Sequence, residues 1–223
     1  MTERILDDET RQKVLEILGD MEAPVEMVLV DEPFDLGDSA GGMLRLRQDL
    51  AQLLDEMVEI TDKLYVRRLT PEEAREEGLD ADYTPALYLR RQGDDAKNVV
   101  FLGAPSGFEF GTLVEDIVDI SRGTTNLSEE TREFLSQLQE ELLVQVFVTP
   151  TCPYCPRMVR LAHQMAMESD RVKAQMVDAT QFPELASLYR VQAVPRTVVN
   201  RSLAIEGAVP EPLFVNRVKS SVL

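Results

Sequence analysis

The chain of 223 residues holds its only two cysteines in the run Thr-Cys-Pro-Tyr-Cys-Pro at residues 151–156. An apolar, β-branched run at residues 143–148 precedes the pair and predicts a strand. Apolar residues at helical spacing follow over residues 158–166 and predict a helix with one buried face. Cysteines two residues apart at a strand-to-helix junction allow one sulfur to attack a partner and the other to resolve the mixed disulfide. The stretch therefore indicates dithiol–disulfide chemistry in an α/β fold.

The local pattern gives the two sulfurs different properties. Pro153 suits the first helical position, where its missing N–H costs no hydrogen bond, so we expect Cys152 at the N-cap. The free amides and the positive end of the helix dipole at that position favour thiolate. Cysteines so placed have pKa values of about 3.5–7.5 instead of about 8.5. Cys155, one turn into the helix, is expected to be more covered and slower to react until Cys152 is occupied.

Two structural explanations of the cysteine pair are weaker than redox chemistry. A purely structural disulfide across two residues closes almost no loop, so it removes little entropy from the unfolded chain. A zinc site needs four ligands, and the chain offers two cysteines and one histidine. We therefore predict a redox-active pair with neither a metal nor a cofactor.

A second signal follows 40 residues after Cys155. The segment 191–195 ends in Val194-Pro195 and leads into a strand-like run at residues 196–199. A cis peptide bond in a folded protein occurs almost only before proline. The motif and this spacing together predict a cis bond between Val194 and Pro195.

These features resemble a thioredoxin fold with a glutaredoxin-type motif: Cys-Pro-Tyr-Cys, the later Ala-Val-Pro, and Ile-Glu-Gly-Ala at residues 205–208 before a final helix. The whole chain resembles the protein disulfide oxidoreductases made of two fused thioredoxin folds, also called glutaredoxin-like domain proteins. Residues 101–111 and 117–123 are especially similar to that family.

The resemblance implies which residues form the site. Cys152 would be the nucleophile, Cys155 the resolving thiol, and Pro195 a cis-proline beside them. The backbone of Val194 would pair with an extended segment of the substrate. We assign Pro153 and Tyr154, inside the motif, to substrate binding with Val194 and Pro195.

The sequence contains a repeat at an offset of 115 residues, since Met-Leu-Arg-Leu at 43–46 matches Met-Val-Arg-Leu at 158–161. Each copy predicts a helix, a βαβ unit, a short helix and a ββα unit. An X-Pro, Thr84-Pro85 in the first copy, precedes the third strand of each copy, and we expect Pro85 to be cis as well. We predict an α/β protein of tandem thioredoxin-like folds, each a mixed sheet flanked by helices, with domains at residues 1–123 and 124–223.

The first copy of the repeat lacks the cysteine pair of the second. At the same offset, Gly37 and Ala40 stand where the second copy has its cysteines. Members of the family often carry a cysteine pair in both halves, so this departure puts in doubt any isomerase activity that needs two cooperating sites. A single pair can still cycle between dithiol and disulfide.

Charge is distributed unevenly along the chain. Residues 1–142 hold 34 acidic against 14 basic residues, and residues 143–223 hold 6 against 9, which together give the net charge of −17. A surface this acidic repels nucleic acid and anionic membrane. No run approaches the roughly 20 apolar residues of a membrane span. We therefore expect neither nucleic acid nor membrane as a partner, and the acidic half either keeps the protein in solution or recruits a basic partner.

Three arginines could lower the pKa of the Cys152 thiol. Arg157 and Arg160 lie on the predicted motif helix and Arg196 follows Pro195. We predict Arg196 to be the nearest, and Arg160 alternatively to lie on a solvated helix face.

The proton acceptor for Cys155 is not evident from the sequence. The residue six positions before Cys152 is Val146, so the buried carboxylate that assists some thioredoxins is missing there. Water or a group from another element, with Glu184 and Asp178 as candidates, would take the proton. The single histidine, His163, is two turns from the sulfurs, and we expect it to pack at the surface or half-buried.

The main hypothesis is a cytoplasmic thiol–disulfide oxidoreductase that acts on protein disulfides. The cysteine usage and the absence of a signal-like N-terminus support that location. Electrons would come from a thioredoxin-reductase-like flavoprotein or from glutathione. Three alternatives remain open: an electron relay to a peroxiredoxin, a redox-sensing or scaffold binding protein, and glutathione-assisted iron–sulfur binding across a dimer.

Overall fold

The computed structural model describes residues 4–32 and 41–222. Those residues form eight helices: α1 (Asp8–Leu18), α2 (Gly42–Val58), α3 (Pro71–Glu76), α4 (Phe108–Arg122), α5 (Glu129–Ser136), α6 (Cys155–Glu168), α7 (Pro183–Leu188) and α8 (Glu211–Val222). They also form eight strands: β1 (Val25–Val30), β2 (Leu64–Leu69), β3 (Ala86–Arg91), β4 (Val99–Leu102), β5 (Leu142–Val148), β6 (Val172–Asp178), β7 (Arg196–Val199) and β8 (Leu203–Glu206). This order confirms the predicted repeat of helix, βαβ, short helix and ββα.

The strands form one mixed sheet in the order β2-β1-β3-β4-β6-β5-β7-β8. Within each half, the βαβ unit supplies a parallel pair and the following two strands are antiparallel. The halves join where β4 pairs in parallel with β6, with Val99 opposite Ala174 and Leu102 opposite Val177. The fold is thus two thioredoxin-like units whose sheets are continuous with each other.

Helices cover both faces of the sheet unequally. One face carries the larger core, to which α1, α2, α4, α5, α6 and α8 contribute, and both cysteines lie in it. The other face is covered mainly by the short helices α3 and α7. Successive side chains of a strand point to opposite faces. In β5, Val144, Val146 and Val148 therefore face α6 while Phe147 faces α7.

A close backbone contact connects the start of α4 to the loop that carries the motif. The Phe108 N–H donates to the Pro150 carbonyl at 3.1 Å. Gly107 has a φ of +61°, and a Cβ there would collide with the same carbonyl oxygen. Only glycine adopts a positive φ readily and also has no Cβ to collide with that oxygen. The first half therefore touches the motif loop two residues before Cys152.

Both predicted cis-prolines are confirmed. The Thr84–Pro85 and Val194–Pro195 bonds are cis, and each precedes the third strand of its half. The expected replacement of the cysteines by Gly37 and Ala40 in the first half lies outside the described residues. The division into domains at residues 123 and 124 stays a prediction, and it falls in the segment between α4 and α5.

Candidate active site

The two cysteines form a disulfide at the carboxyl end of β5. Cys152 lies in the loop after that strand, Cys155 is the first residue of α6, and their Cα atoms are 5.6 Å apart. Cys155 is fully buried, whereas Cys152 retains 7% of its surface. This difference agrees with the expectation that Cys155 is the more covered of the two. Cys152 is therefore the more accessible of the two residues.

The predicted start of the motif helix is wrong by two residues. The N-cap is Tyr154 instead of Cys152, and the proline in the first helical turn is Pro156 instead of Pro153. The reason is local: the Cys152 N–H donates to the Thr149 carbonyl and closes a turn before the helix begins. Pro156 is tolerated because the first helical N–H groups have no intrahelical acceptor. The Cys152 sulfur still lies at the N-terminal end of α6, since it is bonded to the Cys155 sulfur.

The remaining predicted site residues lie around this end of the sheet. Tyr154 is 69% exposed, and Pro153 beside it is also exposed. Strand β7 pairs with β5 so that Arg196 is opposite Phe147, and Pro195 therefore comes level with the end of β5. Pro195 is buried and Val194 is half-buried. Their part in substrate binding stays a prediction.

The three arginines have separate environments. Arg157 is exposed on α6. Arg196 forms an ion pair with Glu206, its cross-strand neighbour on β8, so its charge is already matched. Arg160 binds three acidic residues of α4, and the expectation of a solvated helix face is therefore wrong. That Arg196 is the cation nearest Cys152 stays a prediction.

A buried carboxyl group that the sequence did not reveal lies beside the motif loop. Glu109 follows Phe108, whose N–H donates to the Pro150 carbonyl. Only 1% of the surface of Glu109 is exposed. Its Oε2 accepts a hydrogen bond from the Thr112 hydroxyl at 2.7 Å, whereas the buried Oε1 has no partner among the described residues. Glu109 was missed because acidic residues in a first helical turn usually only complement the helix dipole. Its spacing with Leu113, Ile117 and Ile120 on one helical stripe was the available signal.

The environment of Glu109 suits proton transfer near neutral pH. Burial raises the pKa of Glu109 to about 7, with smaller upward contributions from Asp116 and Asp178, while the Thr112 hydrogen bond lowers it. A carboxylate is a more effective general base when its pKa is close to the working pH. Glu109 can therefore release and accept a proton in the range where thiols of this kind react.

The raised pKa of Glu109 also predicts how stability depends on pH. Its ordinary value is 4.5, so the folded state holds the proton more tightly than the unfolded state does. The stabilisation is fully present below about pH 4.5 and is lost as pH rises to about 7, at a cost of about 3 kcal/mol. Urea unfolding of the oxidised protein and of Glu109→Gln at pH 4.5 and pH 8 should show the wild type losing stability relative to the variant. A constant difference between the two proteins would contradict a raised pKa.

The two carboxylates proposed from the sequence differ in burial. Asp178 ends β6 opposite Val148 and is buried, so it does border the motif strand as expected. Its oxygens accept from Thr180 and from Gln181, whose own Oε1 accepts from the Ala104 N–H of the first half. Glu184 is exposed on α7. Asp178 is thus a hydrogen-bonded anchor, and Glu109 is the buried carboxyl group with a free oxygen.

His163 is fully buried, so the expectation of a surface or half-buried position is wrong. Its Nδ1 lies 2.6 Å from Asp116 Oδ2 and its Nε2 lies 3.2 Å from the Val100 carbonyl oxygen. Both partners belong to the first half. The sequence missed this position because the surface that covers it comes from the first half, on α4 and β4.

Neither a metal cluster nor a membrane-spanning helix occurs in the described part of the chain. Residues 4–32 and 41–222 contain no group of three or more His, Cys, Asp or Glu side chains arranged to hold a metal ion. Over the same residues, no helix is long and apolar enough to cross a membrane.

Comparison with known proteins agrees with this architecture. A family model described as a thioredoxin domain matches residues 142–219. An alkyl hydroperoxide reductase protein of Staphylococcus aureus is 24% identical over 196 residues, which cover 88% of this chain and 34% of that protein. The chain thus spans about a third of the length of the curated relatives it matches.

Two solved structures match almost the whole chain. The N-terminal domain of the alkyl hydroperoxide reductase of Enterococcus faecalis superimposes with a TM-score of 0.78 at 20% identity, covering 98% of this chain and 100% of that one. A protein disulfide oxidoreductase from Aeropyrum pernix superimposes with a TM-score of 0.84 at 26% identity, covering 98% and 95%. The chain therefore has the tandem thioredoxin-like fold of these two structures, and the part that matches the thioredoxin-domain model carries the Cys152–Cys155 disulfide.

Proposed function

We propose that the protein is a thiol–disulfide oxidoreductase that reduces protein disulfides through Cys152 and Cys155. The observation that carries the proposal is the asymmetry of the pair, in which Cys152 retains 7% of its surface at the end of the sheet and Cys155 is fully buried. A structural bridge would have no need of an accessible sulfur.

The reaction begins from the reduced pair. The Cys152 thiolate attacks one sulfur of the substrate disulfide, and the other substrate sulfur leaves as a thiolate and takes up a proton. Cys155 then attacks the Cys152 sulfur, the substrate leaves as a dithiol, and the Cys152–Cys155 disulfide forms. Two electrons pass from the cysteine pair to the substrate, and a donor must return two to the pair.

Glu109 is the group that we assign to take the proton from the Cys155 thiol. Its free oxygen, its burial beside the motif loop and a pKa of about 7 support this role. Glu109 belongs to the half without cysteines, so that half would contribute to catalysis although its own pair is missing. Glu109, on α4, then takes the role of the buried carboxylate that some thioredoxins have at the position of Val146.

The substrate surface includes Pro153, Tyr154, Val194 and Pro195. Tyr154 comes two residues after Cys152 and its side chain is exposed. Val194 precedes the strand that pairs with β5. An extended substrate segment can place its disulfide at Cys152 while its backbone lies along Val194. The electron donor in this scheme is a flavoprotein of the thioredoxin-reductase kind or glutathione.

A more specific version of this function is an electron relay to a peroxiredoxin. It is favoured by the similarity to the staphylococcal alkyl hydroperoxide reductase protein over 88% of this chain. The chain covers about a third of that relative's length. Peroxide consumption by a purified peroxiredoxin, with and without this protein, tests the relay.

Trapping of a mixed disulfide tests the function itself. In Cys155→Ser the second step is impossible, so the reduced variant should accumulate one covalent adduct with a disulfide substrate such as insulin. Mass spectrometry should locate the adduct on Cys152. Reduced wild-type protein should give no adduct and should instead reduce the substrate repeatedly when dithiothreitol is present. An adduct-free variant, or stoichiometric reduction without turnover in the wild type, would favour a redox-sensing binding protein.

A further inference from the structure

A buried cluster of charged side chains joins the two halves behind the redox site. Asp116 of α4 is fully buried, with Oδ1 2.5 Å from Arg160 Nη1 and Oδ2 2.6 Å from His163 Nδ1. Arg160 also binds Asp119 at 2.7 Å and Glu115 at 3.0 Å. Arg160 and His163 both lie on α6, the helix that begins with Cys155.

Both ring nitrogens of His163 lie beside hydrogen-bond acceptors. Nδ1 faces a carboxylate and Nε2 faces the Val100 carbonyl, and both of these groups only accept hydrogen bonds. The form of the ring that donates to both groups at once is the imidazolium. Arg160 donates to the other oxygen of Asp116. The cluster therefore places two cations of α6 against the buried anion of α4.

The cluster lies on the same helix face as Glu109. Residues 109, 112 and 116 follow one another at steps of three and four, and all three are buried. Seven residues correspond to about 10 Å of rise along the helix, a distance at which charges in a protein interior still interact. Asp116 and Asp178 are two acidic groups that raise the pKa of Glu109.

We propose that Asp116 and His163 are positioning residues of the thiol exchange, whose buried charges set the pH at which Glu109 accepts the proton of Cys155. The inference rests on the role that the proposed function gives to Glu109. The anion at Asp116 favours protonated Glu109, and the cations at His163 and Arg160 oppose that effect. Burial is the largest cause of the raised pKa of Glu109, and the balance of these charges adjusts it.

Charged and polar groups from four elements surround this system. Thr112 and Asp116 of α4 and Asp178 of β6 act on Glu109. From β4 come the Val100 carbonyl and the Phe101 ring, whose centroid lies 4.8 Å from that of the imidazole, edge-on. The groups around Asp116 are Glu115 and Asp119 from α4, and Arg160, His163 and Gln164 from α6, with Gln164 donating to Asp119 at 2.9 Å.

The test measures the pH midpoint of mixed-disulfide resolution in single turnovers from about pH 5 to about pH 9, a range that brackets the ordinary values of both thiols and imidazole. Asp116→Asn removes the anion and should move the midpoint down, whereas His163→Gln removes a cation and should move it up. Each shift should be on the order of half to one pH unit. Midpoints that stay at the wild-type value, or that move in the same direction, would overturn the inference.

Two further variants separate charge from packing. Asp119→Asn breaks contacts with the same Arg160 and with Gln164, but Asp119 lies a turn farther from Glu109, so its midpoint should stay near the wild-type value. Arg160→Gln should move the midpoint up as His163→Gln does, and it serves if the histidine variant fails to fold. A midpoint shift in Asp119→Asn equal to that in Asp116→Asn would show a packing effect and would also overturn the inference.

Failure of the proposed function gives a different result. If Glu109→Gln keeps the wild-type midpoint, the proton acceptor has been wrongly assigned. If Glu109→Gln abolishes the midpoint while Asp116→Asn and His163→Gln leave it in place, only the positioning role fails. As His163 is the single histidine, its imidazole NMR signal reports directly on the integrity of the cluster in the other variants.

Discussion

Replacement of Cys152 by serine is expected to reduce the catalysed reduction of insulin to the background rate of dithiothreitol alone. The nucleophile in thiol–disulfide exchange is a thiolate, and a serine hydroxyl does not ionise near neutral pH. Cys155 cannot substitute for Cys152, because it is fully buried at the start of α6. The measurement is the appearance of insulin turbidity with catalytic amounts of protein.

The matched control for this prediction is Cys155→Ser. It retains the sulfur of Cys152, the less buried of the two cysteines, so it should give a single adduct without turnover, whereas Cys152→Ser should give neither. Both variants lack the disulfide equally, and a general loss of stability would affect them alike. Turnover by Cys152→Ser would mean that the buried sulfur is the nucleophile and would refute the assignment.

Replacement of Glu109 by glutamine should have the second largest effect. General base catalysis contributes about 10²–10⁴-fold, so we expect resolution by Cys155 to slow by about 10²-fold or more at pH 8. In the wild type the rate should rise as pH increases through about 7, because Glu109 becomes a base only when it has lost its proton. The variant should lack that rise, since glutamine does not titrate. Stopped-flow measurement of the mixed disulfide with a fluorescent substrate separates this step from the first attack.

Two carboxylates provide the controls for Glu109. Glu184 is exposed on α7, so Glu184→Gln should leave the pH profile of the wild type unchanged. Asp178 is buried and borders β5, but its oxygens are occupied by Thr180 and Gln181. If Asp178→Asn removes the rise near pH 7 and Glu109→Gln does not, the proton acceptor is Asp178.

The half without cysteines acquires a specific role through these residues. Helix α4 touches the motif loop through Phe108, supplies Glu109, and binds α6 through Asp116. The contact at Pro150 requires a glycine at position 107 with a positive φ. The first half is thus a support for the redox site of the second half.

The cysteine motif, the repeat and the proline positions were readable in the sequence because each depends on neighbouring residues. A cysteine pair between a strand and a helix is a local arrangement, as are the proline before the third strand of each half and the apolar period of α6. The order of the elements was therefore predicted in full, and the resemblance to a known family added the roles of the two sulfurs. The start of α6 was misplaced because Pro153 and Pro156 both fit a first helical turn, and the Cys152–Thr149 turn decides between them.

The sequence by itself determined the order of the helices and strands, the repeat and the single cysteine pair, because side-chain periodicity and proline geometry act over a few residues. The resemblance to a known family implied that each copy of the repeat is a thioredoxin-like unit. The tertiary structure alone decided that β4 pairs with β6 and that α4 packs on α6. That packing buries His163 against residues that are 47 and 63 positions away along the chain. Burial and charge depend on such distant neighbours, so no local pattern could define the protonation chemistry of this site.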